Sequence, residues 1–328
     1  MNCINEKGSC PKKATSLIHK TVFFLLFILL SISLTACNKT TTSISSGSIS
    51  ITDSLGNNIS FEETPQRVVA LQGSFAAVYL LSGGELVGIT SDYVNYDLDL
   101  GNATIVGTNK APNTELIISL NPDLIIYTPT LTGQTAAAET LSSAGFKVYA
   151  SVIDGFNDYL YTLLQFTTLN NRSDLYTING VNVENQINNI IADVPNSGNP
   201  DVLFIRAYSN GYEAKSTDNI VCDMLDDLKV NNIAKSDSSL LENISLEAIV
   251  EKDPDYILFV YMGSSDIDAT TAYLNNELFS QPSWQNLKAY KNGNVIILPA
   301  NLFHYKPNNK WGEAYEYLFN IFYKEDNQ

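Results

Sequence analysis

From Thr21 to Leu34 the chain is an almost unbroken apolar run, centred on Val22-Phe-Phe-Leu-Leu-Phe-Ile-Leu-Leu. Beyond Ile49 the pattern changes to short β-branched stretches separated by helical periodicity. Two alternating runs flank Gly56-Asn57-Asn58 within residues 50–61, which predicts a β-hairpin. Further strands are predicted at Arg67–Leu71, Leu86–Thr90, Leu124–Tyr127, Val148–Ala150, Val202–Arg206, Tyr256–Val260 and Val295–Leu298. Strands alternating with helices in this way predict an α/β protein with parallel sheets.

An internal repeat divides this pattern in two. Glu115-Leu-Ile-Ile-Ser-Leu-Asn-Pro122-Asp123-Leu-Ile125 overlays on Glu247-Ala-Ile-Val-Glu-Lys-Asp-Pro254-Asp255-Tyr-Ile257. Each copy predicts a short helix with an acidic residue near its start, a stop before proline, and a turn into a buried strand. Between the copies, residues 158–169 and then Arg172–Val194 are helical in pattern, mildly interrupted by Gly180. A helix of about 20 residues spans roughly 30 Å, enough to join two lobes. The expected organisation is a first α/β lobe over 50–157, a connecting helical segment over 158–198 and a second α/β lobe over 199–328. In open parallel sheets, ligands bind at the carboxyl ends of the strands, so the loops there are the expected binding region.

The amino terminus changes where this fold is placed. Lys7, Lys12, Lys13 and Lys20 precede the apolar run, which is shorter than the roughly 20 residues of a spanning helix, and small residues follow it. Leu34-Thr-Ala-Cys37 matches the bacterial lipobox, so residues 1–36 are expected to be a signal peptide and Cys37 a lipidated first residue. Residues 37–49 are rich in Ser and Thr and predict a flexible tether on the extracytoplasmic face of the membrane. Cys222 is then the one remaining cysteine, in an apolar helical setting that predicts a buried thiol without a disulfide.

Charge and composition exclude several functions. The formal net charge of -16 becomes −19 once four lysines and one glutamate leave with the signal peptide. Nucleic-acid binding requires clustered cations, and this chain has three arginines in all: Arg67, Arg172 and Arg206. With 2 histidines, of which only His304 survives cleavage, a site for a bare Zn²⁺ built on several imidazoles is also excluded. No Gly-x-Ser-x-Gly, Walker A or Gly-x-Gly-x-x-Gly motif is present, which argues against an enzyme. A surface lipoprotein enzyme or adhesin remains the alternative class.

The chain resembles the substrate-binding lipoproteins of ABC importers for iron–siderophore, haem and cobalamin. The resemblance spans about residues 50 to 323. It is carried by residues 51–61, Pro65-Gln-Arg-Val-Val-Ala-Leu, Leu86-Val-Gly-Ile-Thr, Val106-Gly107, Pro112-Asn-Thr-Glu115, Asn121-Pro-Asp-Leu-Ile-Ile, residues 141–148 and Ser245-Leu-Glu-Ala-Ile, in that order. It implies two α/β lobes joined by one rigid helix, a ligand held in the cleft, an ABC permease and its ATPase as partners, a monomer, and no catalysis. It also implies that a glutamate on each lobe docks on permease arginines, at Glu115 and Glu247.

Strand-end loops supply the cleft candidates: Gln72, Ser74, Phe75, Tyr93 and Thr128–Thr130 in the first lobe, and Arg206, Tyr208, Tyr261, Met262, His304, Tyr305 and Lys306 in the second. Their aromatic rings suit a bulky chelate and the chelator supplies the metal's donor atoms, so neither a direct metal site nor a cofactor is expected. For a ferric siderophore the cations are Arg206 and Lys306. For haem, His304 is a possible axial ligand, with Tyr305 and Met262 as alternatives. Cobalamin would use aromatic walls and few charges. A ferric siderophore is the first expectation.

Overall fold

The computed structural model describes residues 48–324, apart from 238, 243 and 264–266. The signal peptide, Cys37 and all but the end of the tether lie outside the described residues. Among the described residues no helix is long and apolar enough to cross a membrane.

The hairpin forms as expected from β1 (Ile49–Thr52) and β2 (Asn58–Phe61), paired antiparallel. Asp53, 4% exposed, holds its turn by accepting the N–H groups of Leu55 and Asn57 at 2.9 and 2.8 Å. The first sheet follows, with β3 (Val68–Ala70), β4 (Leu86–Ile89) and β5 (Thr104–Ile105). A small hairpin of β6 (Gly107–Thr108) and β7 (Ala111–Pro112) precedes β8 (Leu124–Tyr127) and β9 (Val148–Ala150). The first sheet runs in the order β5-β4-β3-β8-β9, all parallel.

The second sheet is built from β10 (Asp201–Tyr208), β11 (Gly211–Ala214), β12 (Asn231–Asn232), β13 (Tyr256–Tyr261) and β14 (Val295–Ile297). Its order is β11-β10-β13-β14, and β11 alone is antiparallel. The sequence pattern places the seven main strands to within two residues and misses the two-residue strands β5, β6, β7 and β12 and the longer β11. The turn residues Ser209-Asn210-Gly211 that reverse the chain into it were there to be read.

The two copies of the repeat occupy equivalent places. Helix α2 (Thr114–Ser119) leads into β8, and helix α7 (Leu246–Lys252) leads into β13; α1 (Gly73–Leu81), α3 (Thr132–Ser143), α4 (Phe156–Leu169), α5 (residues 173–192) and α6 (Ile220–Asp227) take the intervening positions in chain order. Asn121 and Asp253, each just before the proline, adopt left-handed φ of 45° and 40°. Asn and Asp tolerate that conformation, and it turns each chain from helix to strand. The following aspartates then pin the neighbouring strand. Asp123 donates its N–H to the Arg67 carbonyl while its carboxylate accepts the N–H groups of Gln66 and Arg67. Asp255 likewise donates to the Asp201 carbonyl and accepts the Asp201 N–H.

The lobes are joined by α5. Its middle turn, Thr177–Val181, widens to i→i+5 hydrogen bonding, which leaves the regular carbonyl pattern incomplete. The buried Tyr159 hydroxyl of α4 donates to the Asn179 carbonyl at 2.8 Å, and the Asn179 amide donates to the Leu81 carbonyl. A Cβ at Gly180 would lie 3.1 Å from Leu160 and 3.3 Å from Leu163, a tight fit to which both leucine side chains would have to yield. The other half of α5 packs on α8 (Trp311–Tyr323), where Gly312 leaves room for Gln186. One hydrophobic core therefore runs from Ile126 and Phe166 through Val183 and Ile187 of α5 to Phe204, Leu258 and Leu318. Burying apolar surface on both ends of one helix makes it a stiff joint rather than a loose tether.

Candidate ligand-binding cleft

A cavity of about 1090 Å³ opens where the amino end of α4, the side of α5 and the carboxyl ends of β10 and β13 meet. Four of the predicted residues line it: Arg206, Met262, His304 and Lys306. Arg206 and Met262 arrive at the ends of adjacent parallel strands, and Arg206 Nε donates to Met262 Sδ at 3.3 Å. The Arg206 guanidinium also faces Glu213 of β11 at 3.6 Å, a carboxylate it shares with Lys215 at 3.3 Å. Tyr208 donates its hydroxyl to the same carboxylate at 2.7 Å. Burial opposes ionisation of Glu213, but Tyr208, Lys215 and Arg206 together outweigh it and hold the carboxyl below its usual range. Burial first, and the Glu213 carboxylate second, push the Tyr208 phenol up to about 12.

His304 lies beside the end of β13. Its Nε2 accepts the Gly263 N–H at 3.4 Å, and its ring lies 4.4 Å from that of Tyr305. Burial, assisted by the charge of Arg206, lowers its pKa, so the imidazole is neutral at pH 7. The Lys306 ammonium reaches across to Asp154, just before α4, at 3.6 Å. Burial lowers its pKa and Asp154 opposes that shift. Tyr305 crosses as well, its ring 5.7 Å from that of Tyr96. Residues 305 and 306 of the second lobe thus touch the first lobe.

The remaining predictions lie elsewhere. Ser74 is 0% and Phe75 3% exposed, both inside the first turn of α1, where Phe75 belongs to the hydrophobic core. Tyr261, 8% exposed, packs in a second core cluster behind β13. In this conformation these three side chains offer almost no surface to a ligand, because helix α1 begins at Gly73 and β13 runs through Tyr261, so positions expected in loops lie in packed elements. Gln72, Tyr93, Tyr208 and Tyr305 do not line the cavity. Asp92 is engaged by the Gly73 N–H and the Thr90 hydroxyl.

Sequence reasoning missed the acidic lining: Asp154, Asp158, Glu184, Asp218, Asp223 and Asp227. One signal was available. Asp223 and Asp227 stand four residues apart on α6, a like-charge spacing that weakens a helix unless something else favours that face. Trp311 and Tyr315 of α8 complete the wall; they are 1% and 4% exposed, and the Tyr315 hydroxyl donates to Asp227 at 2.6 Å. Among the described residues no group of three or more His, Cys, Asp or Glu is arranged to hold a metal ion. Cys222 is buried and free, as expected, and burial pushes its thiol up to about 12.

The two docking candidates are exposed, each in the first turn of its helix. The caps come from other side chains: Asn113 accepts the Leu116 N–H and Ser245 accepts the Ala248 N–H.

Residues 68–302 match the family model described as periplasmic binding protein. The chain belongs to that family. Among its relatives, the Fe(3+)-citrate-binding protein YfmC of Bacillus subtilis is 29% identical over 247 residues, covering 71% of this chain and 72% of YfmC. The probable siderophore-binding lipoprotein YfiY of Bacillus subtilis is 24% identical over 84% of this chain and 89% of its own length. The crystal structure of the TroA-like periplasmic binding protein FepB from Veillonella parvula superposes with a TM-score of 0.67 at 20% identity, covering 84% of this chain and 90% of that one. This periplasmic binding protein therefore has the two-lobed α/β fold of that class. Proteins of the family bind substrates for ABC transporters and do not catalyse reactions.

Proposed function

We propose that this chain is the lipid-anchored, extracytoplasmic receptor of an ABC importer and that it captures a chelated metal, with a ferric siderophore as its cargo. The observation that carries the reading is the cavity of about 1090 Å³ at the carboxyl ends of the second-lobe strands, closed on its other side by α4 and α5. That volume exceeds the upper end of ordinary small-molecule pockets, roughly 1,000 Å³, and suits a bulky chelate. The names of YfmC and YfiY support the same class of cargo. Haem is the weaker reading, because both side chains best suited to axial ligation are engaged: His304 Nε2 accepts the Gly263 N–H, and the Met262 sulfur accepts Arg206 Nε–H.

Binding is tested by titrating the full-length chain, purified in detergent, with hydroxamate, catecholate and carboxylate ferric siderophores, haem and cobalamin, while following Tyr and Trp fluorescence. At least one ferric chelate should bind below about 10 µM, roughly 7 kcal/mol; failure of all of them sinks the receptor reading. Glu115 and Glu247 are proposed to dock on arginines of the permease, supported by their exposure at equivalent places on the lobes and by caps that leave them free of that duty. Charge reversal at both should abolish uptake and leave chelate affinity intact. A loss of affinity would move them out of the docking role.

A further inference from the structure

The cavity is acidic, and its cations are already engaged. Six carboxylate residues line it, Asp154, Asp158, Glu184, Asp218, Asp223 and Asp227, against the two cations Arg206 and Lys306. Arg206 faces Glu213 at 3.6 Å and Lys306 faces Asp154 at 3.6 Å. The other two arginines lie outside the cavity, where Arg67 donates to the Leu120 carbonyl and Arg172 pairs with Asp174. Some lining carboxylates also have structural partners: Asp158 accepts the N–H groups of Asp154 and Gly155, and Asp227 accepts the Tyr315 hydroxyl. The charge of these groups remains, and Asp223 shows the crowding, since burial first and then Asp226 and Asp227 raise its pKa.

A second observation is independent of charge. Trp311 lines the cavity at 1% exposure, and its indole N–H has no acceptor. His304 Nδ1 is also buried without a partner. Because Nε2 of this neutral imidazole accepts the Gly263 N–H, the ring proton lies on Nδ1, giving a second unsatisfied donor in the lining. A buried donor without an acceptor is costly, and an oxygen atom of a bound molecule reaches either one once the lining shifts around it.

Resting on the receptor reading above, we infer that the cavity takes a ferric chelate with no net negative charge whose outer surface offers carbonyl or hydroxamate oxygens to Trp311 and His304. Three hydroxamates cancel the charge of ferric iron and leave a neutral complex, and a pendant ammonium makes it cationic. Three catecholates leave a trianion, and citrate complexes are anionic as well. An anion here would be desolvated against carboxylates without a free cation to meet it. A cation would gain from the same field.

The test is a charge series on the full-length chain in detergent: a ferric trihydroxamate bearing one ammonium, a neutral cyclic ferric trihydroxamate, a ferric tris-catecholate and ferric citrate, each at low and high salt. The two hydroxamates should bind at least about 100-fold more tightly than either anion, the cationic one more tightly than the neutral one, and salt should weaken only the cationic complex. Asp223→Asn with Asp227→Asn should reduce the cationic-over-neutral preference about tenfold. Trp311→Phe, which keeps an aromatic ring, should weaken both hydroxamates and leave their order unchanged. Tightest binding of the tris-catecholate or of ferric citrate overturns the inference while leaving the receptor reading intact. Failure of every chelate overturns both.

Discussion

The two lobes share one scaffold unit and use it differently. In both, a short helix, a left-handed residue, a proline and an aspartate deliver a strand into a parallel sheet, and Ile117 and Ile249, at matching positions, are both fully buried. Yet Arg206, Met262, His304 and Lys306 all come from the second lobe, while the first adds chiefly residues 154–158. The second lobe also carries the antiparallel β11, whose Glu213 holds Arg206 in place. The repeat therefore specifies architecture, and departures from it furnish the lining of the candidate cleft. Among the positions that match between the lobes, the aspartates after the prolines pin backbone and the isoleucines fill the core, while Glu115 and Glu247 are exposed and do neither.

The strongest way to break this comparison is to ask whether the lobes are separate folding units. Phe166 packs its ring on Tyr79 and Tyr149 in the first lobe, and Trp284 packs on Phe259 and Phe279 in the second. Phe166→Ala and Trp284→Ala should each cost about 3–5 kcal/mol. Because the core through α5 reaches both sheets, and Trp284 packs in the cluster on the other face of the second sheet, each should shift a single urea unfolding transition; two separated transitions would mean the lobes are energetically independent. Next come the two aspartates. Asp123→Ala leaves two strand-entry N–H groups without their carboxylate and Asp255→Ala leaves one, so the expected losses are about 2 and about 1 kcal/mol. Equal losses would show that the repeat's hydrogen bonds do not set the stability of the strand entries. Tyr159→Phe, which removes the hydroxyl from the widened turn of α5, should cost about 1 kcal/mol in the same assay.

The smallest effect is a pH dependence confined to the second lobe. The folded state lowers the His304 pKa below 6.5, so as pH falls through 6.5 the unfolded chain gains a proton before the folded chain does. The contribution is full above that value and is lost progressively below it. Thermal unfolding from about pH 7 to about pH 5.5 should therefore show a decline that His304→Gln makes shallower. An unchanged slope in the variant would place the dependence on other groups.

Much of the fold was legible because it rests on local rules. Period-two and helical patterns mark the main strands and α4, Gly180 marks the widened turn of α5, and the repeated Pro-Asp units mark the strand entries. The cleft was legible only in part. Arg206, Met262, His304 and Lys306 follow from the rule that ligands meet strand ends, but the same rule also selected Ser74, Phe75 and Tyr261, which the fold buries. Loop direction is set by packing many residues away, as where Gly73 lies against Tyr96. The acidic wall was hidden for a similar reason, since Asp154, Glu184 and Asp223 are far apart in the chain and read one by one as solvated surface.

By itself the sequence determined the α/β class, the doubling of the scaffold, the family and the scarcity of cations, because these depend on periodicity, spacing and counting. Only the tertiary structure decided how those few cations are used. Arg206 meets Glu213, Lys306 meets Asp154, and carboxylates from α4, α5 and α6 converge on one space. Charge acts through distance, and distances between segments far apart in the chain exist only once the chain has folded.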